Sequence, residues 1–273
     1  MADILRATWV VSYRELLRFV QERSRILSSF AMPLLFLVIF GAGFTRIIGS
    51  LTPGVGFIQF IYPGIIAMNV LMNSVMSGLS VVWDREFGFL KEILVAPLGR
   101  SGIVLGKAVG SAAVAVGQGV IMLVLAPIVG VSLTPLLVIE VIPTLILISV
   151  SLSGLGVLIA SRMRSQQGFQ IIVQIIVFPL IFLSGVFFPV NNVPAWLEVV
   201  SKINPLTYGV DAIRQIFLGP EIAAAAGAMG KGGYVIGVTV FGHTMTILED
   251  ILVVAVFGIV MLSAAAWSFS RQE

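Results

Sequence analysis

Six runs of about 20 or more apolar residues constrain this chain more strongly than any other feature of its sequence. A helix needs roughly 20 apolar residues to cross the hydrocarbon core of a bilayer, and backbone groups inside lipid must be paired within the protein. We therefore predict an all-α, polytopic membrane protein with six transmembrane helices in one domain, 1–273. The predicted spans cover about 27–48, 57–83, 103–129, 134–161, 169–189 and 247–269.

The composition excludes a soluble or a disordered protein. Hydrophobic residues make up 58% of the chain and charged residues 11%, whereas soluble domains carry roughly 25% charged residues. The absence of cysteine excludes disulfides, thiolate metal sites and thiol catalysis. The net charge of +3 is expected in membrane-flanking loops, so it does not indicate nucleic-acid binding.

The distribution of basic residues predicts the orientation of the spans. Twelve of the 16 lysines and arginines fall on one side and four on the other. Because cytoplasmic loops carry the excess of basic residues, we predict a multi-pass protein of the cell (plasma) membrane with both termini in the cytoplasm. Residues 191–246 then form the one large external segment. A seventh span at 222–242 is the less favoured alternative, since it would contain Lys231 and several glycines.

Residues 2–24 have the pattern of an amphipathic helix. The apolar stripe consists of Leu5, Trp9, Tyr13, Leu16, Leu17 and Val20. The charged residues off that stripe are Arg6, Arg14, Glu15 and Arg18. A basic amphipathic helix ahead of a first span is expected to lie on the inner membrane surface, where it can also contact a partner.

The connection between spans two and three, 84–100, mixes charged residues with large apolar ones. The apolar side chains are Phe87, Phe89, Leu90, Ile93 and Leu94. A short connection needs no such pattern. The pattern favours a knob that fits a partner's groove as much as an interfacial helix that lies against lipid.

Proline and asparagine residues break the chain after span five. The pattern predicts two short external helices, 194–202 and 205–218. Neither is long enough to span a membrane, so we expect outer-leaflet or re-entrant helices. The polar side of the second helix consists of Tyr208, Asp211 and Arg214. Residues 219–246 are predicted to form a mobile external loop with a small hairpin.

The sequence contains no catalytic constellation. The nearest approach to a phosphate-binding loop, Gly102 to Ala108, has one residue too few between its glycines and lacks Ser or Thr after Lys107. We interpret Gly102, Gly106 and Gly110 as a surface for close helix packing. The predicted cytoplasmic segments are too short for a nucleotide-binding domain. We therefore expect no enzyme activity and no cofactor on this chain, and if ATP drives the protein, another chain binds the ATP and its Mg²⁺.

Polar residues inside the spans are candidates for lining a substrate pathway. They include Asn69, Asn73, Glu140 and Gln174. An intramembrane carboxylate is a functional candidate by default, and Glu140 lies near the outer edge of span four. Neutral amides inside spans are more commonly interhelical hydrogen bonds.

Three segments together resemble the ABC-2 type transporter permeases. They are 86–100 with the core Glu-Ile-Leu-Val-Ala-Pro, 183–189 (Leu-Ser-Gly-Val-Phe-Phe-Pro) followed by Pro-Ala-Trp-Leu at 194–197, and Asn-Pro-Leu-Thr-Tyr at 204–208 followed by Asp211 to Arg214. The likeness extends over essentially the whole chain. It is closest to daunorubicin-resistance-type and nodulation-factor-type export permeases.

The resemblance implies a half-transporter, in which two permease copies pair as a homodimer and each docks a separate ATP-binding subunit. The implied coupling residues are Glu86, Phe87, Phe89, Leu90, Glu92, Ile93 and Leu94. The implied interface helix, 2–24, contacts the ATP-binding subunit through Trp9, Tyr13, Arg14 and Arg18. The implied external re-entrant gate, around 194–218, consists of Phe187, Phe188, Pro189, Trp196, Asn204, Pro205, Tyr208, Asp211 and Arg214.

The implied function is the membrane permease subunit of an ATP-driven ABC exporter that moves an amphipathic drug, a lipid or a lipid-linked glycan outward. The main alternative is an ion-coupled secondary transporter without an ATPase. Such transporters place ionisable residues or broken helices at mid-membrane, and only Glu140 meets that description here. Two further alternatives are an intramembrane enzyme, for which the spans supply no catalytic cluster, and a scaffold protein that uses the same loops as docking sites.

Overall fold

The computed structural model describes residues 2–21, 31, 33–41, 43, 56–87, 100–130, 133–191, 193–229, 237–240 and 242–271. Within these ranges the chain is almost entirely helical, with one two-stranded antiparallel hairpin. The prediction of a mostly helical protein is confirmed.

The described helices are α1 (Ala2–Gln21), α2 (33–41), α3 (Phe57–Met76), α4 (Leu79–Glu86), α5 (Arg100–Leu125), α6 (Pro135–Arg162), α7 (Gln166–Phe182), α8 (Ala195–Ile203), α9 (Pro205–Met229) and α10 (Ile247–Ser270). A 3₁₀ turn, Ala126–Val129, continues α5. The hairpin pairs β1 (Thr239–Val240) with β2 (His243–Thr244). The hydroxyls of Thr134 and Ser165 accept from backbone N–H groups in the first turns of α6 and α7, so both helices begin with a side-chain cap.

Four helices in the described ranges are long and apolar enough to cross a membrane. They are Phe57–Glu86, Val104–Leu125, Pro135–Arg162 and Ile247–Ser268. They coincide with the predicted spans two, three, four and six. Half of the predicted first span, 27–48, lies outside the described residues, which include α2 and residues 31 and 43.

The helix in the fifth predicted span is shorter than expected. α7 is an apolar helix of 17 residues, and it ends at Phe182 rather than near 189. The chain then turns at Gly185, whose φ of +78° is accessible to glycine but strained for other residues. A methyl group at Gly185 would also lie 2.5 Å from Cγ2 of Val190, so the turn requires glycine for space as well as conformation.

α3 and α6 form the centre of the bundle. α6 packs against α10, α5 and α3, and α3 also packs against α5 and α9. The Ser149 hydroxyl of α6 lies 2.8 Å from the Ser74 hydroxyl of α3 and 3.1 Å from the Ser111 hydroxyl of α5. Interhelical hydrogen bonds in membranes contribute roughly 0.6 kcal/mol each, so apolar packing around these serines supplies most of the stability.

The second span is broken where α3 meets α4. α3 ends at Met76 and α4 begins at Leu79, with a turn between them. A methyl group at Gly78 in this turn would lie 2.3 Å from the carbonyl oxygen of Gly156 in α6. Only glycine permits so close an approach of two backbones, and this contact places the start of α4 directly against α6.

The second external helix is longer than predicted. α9 runs for 25 residues to Met229, rather than ending at 218, so the start of the predicted loop 219–246 is helical. The alanine-rich run 223–226 has high helix propensity, which explains the extension. The predicted hairpin is present at the end of the same range, and its strands exclude a continuous span at 222–242.

The two ends of the bundle differ in their residues. The basic end carries α4, the start of α5 and the turn between α6 and α7, with Arg85, Lys107 and Arg162. The hairpin end carries α8, the start of α9, the hairpin and the start of α10. α1 and the described part of the predicted coupling segment lie at the basic end, and the described part of the predicted gate lies at the hairpin end.

Candidate functional site

The glycine surface at the start of α5 holds α1 against the bundle. A methyl group at Gly106 would lie 2.7 Å from Cβ of Val11, and one at Gly110 would lie 2.9 Å from Cβ of Glu15. The Ser12 hydroxyl donates to the Gly106 carbonyl oxygen at 2.9 Å. The interpretation of these glycines as a packing surface is therefore confirmed, and the helix that they contact is α1.

The apolar stripe of α1 faces away from the bundle. Trp9 is 72% exposed and Tyr13 is 54% exposed, and their rings stack with centroids 6.4 Å apart. Leu5 and Val20 are exposed along the same stripe. The stripe is thus accessible to lipid or to another protein. The side chain of Arg18, a predicted interface residue, lies outside the described part of the chain.

Four charged side chains meet where α1, α4 and α5 converge. This charge cluster consists of Arg14, Glu15, Asp84 and Lys107. The Lys107 ammonium lies 3.3 Å from Oε1 of Glu15 and 3.5 Å from Oδ2 of Asp84, and it donates to the hydroxyl of Ser80. Nη2 of Arg14 lies 2.9 Å from the same Asp84 oxygen. Lys107 is only 2% exposed, but two positive and two negative groups balance, so no net charge is buried.

The charge cluster controls the protonation of Glu15. Burial raises the pKa of the Glu15 carboxyl, but the Lys107 ammonium and the Arg14 guanidinium outweigh burial and hold this pKa below its ordinary value. Glu15 is therefore ionised at neutral pH. Its carboxylate then accepts a hydrogen bond from Lys107 and links α1 to α5.

The other side of α4 is held by the turn between α6 and α7. Nη1 of Arg85 donates to the Met163 carbonyl oxygen at 2.6 Å, and Nη2 donates to the Ser161 carbonyl oxygen at 3.1 Å. Oε2 of Glu86 accepts from the backbone N–H of Gln166 at 3.3 Å, at the start of α7. A cation at a helix C-terminus and an anion at a helix N-terminus are both favourable. α4 is therefore tied on two sides where the connection to α5 begins.

Two of the predicted coupling residues fall within the described structure. Glu86 binds α7, and Phe87 follows α4 with 65% of its side chain exposed. The remaining predicted coupling residues, Phe89, Leu90, Glu92, Ile93 and Leu94, lie outside the described residues. The described part thus presents one large exposed aromatic side chain on a firmly held base.

At the hairpin end, Arg214 of α9 lies buried beneath the turn that follows α7. Its Nη2 donates to the Gly185 carbonyl oxygen at 2.7 Å, and its guanidinium carbon lies 4.0 Å from the centre of the Phe60 ring. Asp211, about one helical turn earlier, accepts from the backbone N–H of Val238 at 2.7 Å. The predicted polar side of this helix is therefore buried and joins α9 to the turn after α7, to α3 and to the hairpin.

Gln215 connects the hairpin end to α10. Its Nε2 lies 3.1 Å from Oδ2 of Asp211, 3.1 Å from Oδ2 of Asp250 and 3.1 Å from the Met245 carbonyl oxygen. Asp250 is completely buried. The sequence pattern did not predict a role for Gln215 or Asp250, although an acid next to the start of a long apolar run is a usable signal for a buried polar partner.

Asn204 and Tyr208 fix the corner between α8 and α9. Nδ2 of Asn204 donates to the Leu180 carbonyl oxygen at 2.7 Å, which ties the corner to α7. The Tyr208 hydroxyl donates to the Lys202 carbonyl oxygen at 2.7 Å, which closes the corner itself. Trp196 of α8 is exposed. α8 is therefore held at its C-terminal end and presents an aromatic side chain outward.

Phe187 lies among aromatic rings from two other segments. Its ring centroid is 5.3 Å from that of Phe182 at the end of α7 and 5.6 Å from that of Phe40 in α2. The two residues after it, Phe188 and Pro189, are half-buried. The predicted gate residues are thus brought together only in part, because Phe187 joins α2 whereas Arg214 and Asp211 join α9 to the hairpin.

The predicted pathway residues occupy different environments. Asn69 is buried, and Asn73 donates to its Oδ1 at 2.6 Å, so these two amides pair along α3. Glu140 of α6 and Gln174 of α7 are exposed. The chain does not bring the four residues together. A pathway that uses Gln174 would run along the outer surface of the single chain.

The charge cluster is a second feature that the sequence pattern did not predict. The pattern identifies Lys107 only as a basic residue at the edge of a span, and it assigns no role to Glu15 or Asp84. A lysine within an apolar helix is costly unless it is paired, which is the signal that predicts a buried partner. Among the described residues, no group of three or more histidine, aspartate and glutamate side chains is arranged to hold a metal ion.

The apolar helices and their buried polar contacts define a multi-pass helical membrane protein. The sequence profile of the ABC-2 type transporter family matches residues 6–218. This match covers most of the chain, and the chain belongs to the ABC-2 type transporter family. Members of this family are the transmembrane component of a transporter and not its catalytic subunit.

Named relatives agree with this family. The chain is 30% identical over 208 residues to ycf38 of Cyanophora paradoxa, which is named as a transport permease, over 73% of this chain and 71% of that protein. It is 35% identical over 173 residues to YbhR of Escherichia coli K12, named as a multidrug ABC transporter permease, over 61% of this chain and 45% of that protein. It is 29% identical over 203 residues to nodulation protein J of Rhizobium meliloti, over 72% of this chain and 75% of that protein.

Proposed function

We propose that this chain is the six-span permease subunit of an ATP-driven exporter, with both termini in the cytoplasm of a cell whose plasma membrane it crosses. A separate ATP-binding subunit docks on the 84–100 segment and on α1. ATP and Mg²⁺ bind that subunit, and this chain carries no cofactor. The basic end of the bundle then faces the cytoplasm, in agreement with the excess of basic residues there.

The observation that carries this proposal is the attachment of α4. Its last turn is held by Arg14 and Lys107 on one side and by the α6–α7 turn on the other, through Arg85 and Glu86. A connection that served only to join two spans would need no such anchoring. A connection that transmits movement from a docked partner must be held firmly by the rest of the protein. α4 is held in this way, and Phe87 follows it.

Two copies of the chain are proposed to form the transport unit. The exposed side of α7 carries Ile171, Ile175 and Phe178, which suit contact with lipid or with a second copy. Gln174 lies on the same helix and is exposed among them. Gln167 and Gln170 are exposed on the same helix, and polar amides are costly against lipid, which favours a protein-lined or water-lined environment there. We therefore place the substrate pathway between two copies, beside α7.

The proposed cargo is an amphipathic drug, a lipid or a lipid-linked glycan, moved outward. The exposed surface of α7, which is mostly apolar but carries three amides, suits such molecules better than small ions. The name of one relative, a multidrug ABC transporter permease, supports a drug-like cargo. When the two ATP-binding subunits close, they draw the two 84–100 segments together, and spans two and three tilt as rigid bodies.

The test is purification of the tagged chain from its native membrane in mild detergent, followed by identification of the proteins that accompany it. The expected result is one P-loop subunit per permease, with ATPase activity in the complex. Recovery of the chain without an ATPase after crosslinking would contradict the proposal. Export that stops when the proton gradient is removed, with ATP present, would favour the ion-coupled alternative.

A further inference from the structure

The charge cluster lies between the two segments that the proposed function assigns to docking, and a role for the cluster in coupling rests on that proposed function. α1 carries the exposed stripe with Trp9 and Tyr13, and α4 leads to Phe87. Lys107 belongs to α5, and it contacts α1 through Glu15 and α4 through Asp84. One buried side chain therefore joins both docking segments.

The Lys107 ammonium has a complete set of partners. An ammonium offers three N–H donors, and three acceptors surround it: Glu15, Ser80 and Asp84. The acceptors come from two different helices, so the ammonium cannot keep all three if α1 moves relative to α4. Arg14 adds a second link, because this residue of α1 binds the same Asp84 oxygen.

The energetics of such a cluster indicate that it fixes the positions of helices relative to one another more than it stabilises the fold. A buried ion cluster is often no more stable than apolar side chains of equal volume, because desolvation offsets the attraction between the charges. Separation of α1 from α4 would leave a charge buried without its partner, which is strongly unfavourable. The glycine contacts of α1, through Val11 and Ser12, fix it to α5 but make no contact with α4.

The geometry points to Lys107 as a positioning residue that, with Glu15 and Asp84, makes α1 and α4 move as one rigid body when the docked subunit moves. Force applied at either docking segment then reaches the same unit. Without this link, α1 stays attached to α5 through Val11 and Ser12, and its movement does not reach α4.

The absence of cysteine from the chain provides a direct test. Spin labels are placed on α1 at Leu17→Cys and on α4 at Trp83→Cys, both exposed side chains, in complexes that hold a cysteine-free ATP-binding subunit. Labelled chains are diluted with unlabelled ones, so that only distances within one chain are measured. The distance between the labels is compared without nucleotide and with magnesium ATP plus vanadate. The expected distance in the otherwise unmodified chain is the same in both states.

The informative variant is Lys107→Met/Glu15→Gln, which removes one positive and one negative group and so keeps the cluster neutral. In this variant the distance is expected to change with nucleotide by about 1–5 Å, the scale of a helix shift. Lys107→Arg, which keeps the charge and the donors, should restore the constant distance. The matched control is Lys202→Met/Glu198→Gln, which removes an ion pair at the hairpin end and should behave as the unmodified chain.

A constant distance in Lys107→Met/Glu15→Gln would overturn the role proposed for Lys107, because the Arg14–Asp84 pair alone would then hold α1 to α4. A nucleotide-dependent distance in the unmodified chain would overturn it too. Should the double variant fail to accumulate, Arg14→Gln/Asp84→Asn removes the direct link between α1 and α4 with the same charge balance and carries the same expectation. Failure of the proposed function is a separate result, because it appears as the absence of an ATP-binding subunit with the unmodified chain.

Discussion

Gly78 and Gly156 contact each other through their backbones, so α4 leaves the second span in direct contact with α6. A methyl group at Gly78 would lie 2.3 Å from the Gly156 carbonyl oxygen, and one at Gly156 would lie 2.2 Å from the carbonyl oxygen of Val75 in α3. Neither backbone can retreat, because α3 and α6 are the buried centre of the bundle. The position of α4 therefore depends on the absence of two methyl groups.

Gly156→Ala is expected to destabilise the folded chain by about 1–3 kcal/mol, because the added methyl group overpacks a contact that cannot relax. The measurement is the melting temperature of the purified chain in detergent. Gly117→Ala is the matched control, since a methyl group there meets nothing within 4 Å. Equal melting temperatures for the two variants would contradict the importance of this contact.

Gly106→Val is expected to displace α1 from α5. The larger side chain would occupy the space of Val11 and break the hydrogen bond from Ser12 to the Gly106 carbonyl oxygen. Limited proteolysis should then cleave within α1 faster than in the unmodified chain. Gly117→Val, on the same helix but without a neighbouring helix at that point, should leave the rate of cleavage unchanged. Slow cleavage in both variants would show that α1 is held by other contacts.

Lys107→Met is expected to make stability depend on pH in a defined direction. Lys107 contributes to the low pKa of Glu15, and without it we expect burial to outweigh the remaining Arg14 guanidinium and to raise the pKa of this carboxyl above its ordinary value. A carboxyl whose pKa is higher in the folded than in the unfolded chain destabilises the fold when it is ionised, and protonation relieves this as the pH falls. The deficit in melting temperature should therefore shrink between about pH 8 and about pH 5.

The control for this pH effect is Lys107→Met/Glu15→Gln, which has no carboxyl at position 15. Its melting temperature, relative to the unmodified chain, should lack the recovery at low pH that the single variant displays. A recovery of equal size in both variants would assign the effect to another group.

Phe87→Ala is expected to weaken docking of the ATP-binding subunit, because a large exposed aromatic side chain on a fixed base is suited to act as an interface hot spot worth about 2 kcal/mol or more. The measurement is the amount of the ATP-binding subunit that co-purifies at increasing dilution. Phe178→Ala removes an equally large exposed ring from the middle of α7 and should not affect this recovery. Undiminished recovery with Phe87→Ala would remove this residue from the docking site.

Asp211→Ala is expected to loosen the hairpin, because Val238 loses the carboxylate that accepts its backbone N–H. A hydrogen bond to a charged group contributes roughly 1.5–3 kcal/mol, so the Val238 amide should exchange with solvent about 10- to 100-fold faster. Hydrogen exchange followed by mass spectrometry measures this. Glu198→Gln, which changes an acid of α8 that pairs with Lys202 and not with the hairpin, should leave the Val238 amide protected.

The long helices of the fold could be predicted from the sequence because their apolar runs exceed the membrane thickness, as for Val104–Leu125 and Pro135–Arg162. The break between α3 and α4 could not, because its cause is a contact with Gly156, which is distant in sequence. The length of α9 was predictable in principle. The pattern predicts a loop there because the glycines that follow the alanine-rich run are typical of a loop, whereas the alanines themselves favour a helix.

Those features of the candidate site that depend on the residue pattern of one helix could be predicted from the sequence. The apolar stripe of α1 and the glycine spacing of α5 are both visible in the sequence, but nothing in either reveals that the two helices pack together. The charge cluster combines residues from three helices, and Glu15 and Lys107 are 92 residues apart. Each of them has an ordinary local explanation, and only their meeting in space identifies the pairing.

The attachment of α1 by one narrow face has a consequence for changes in its length. A helix turns by about 100° per residue, so one residue inserted before Val11 would rotate Trp9 away from its outward position. Replacement of single side chains on the outward stripe leaves that direction intact. Insertions and deletions in the first turns of α1 should therefore impair docking through this stripe far more than substitutions do.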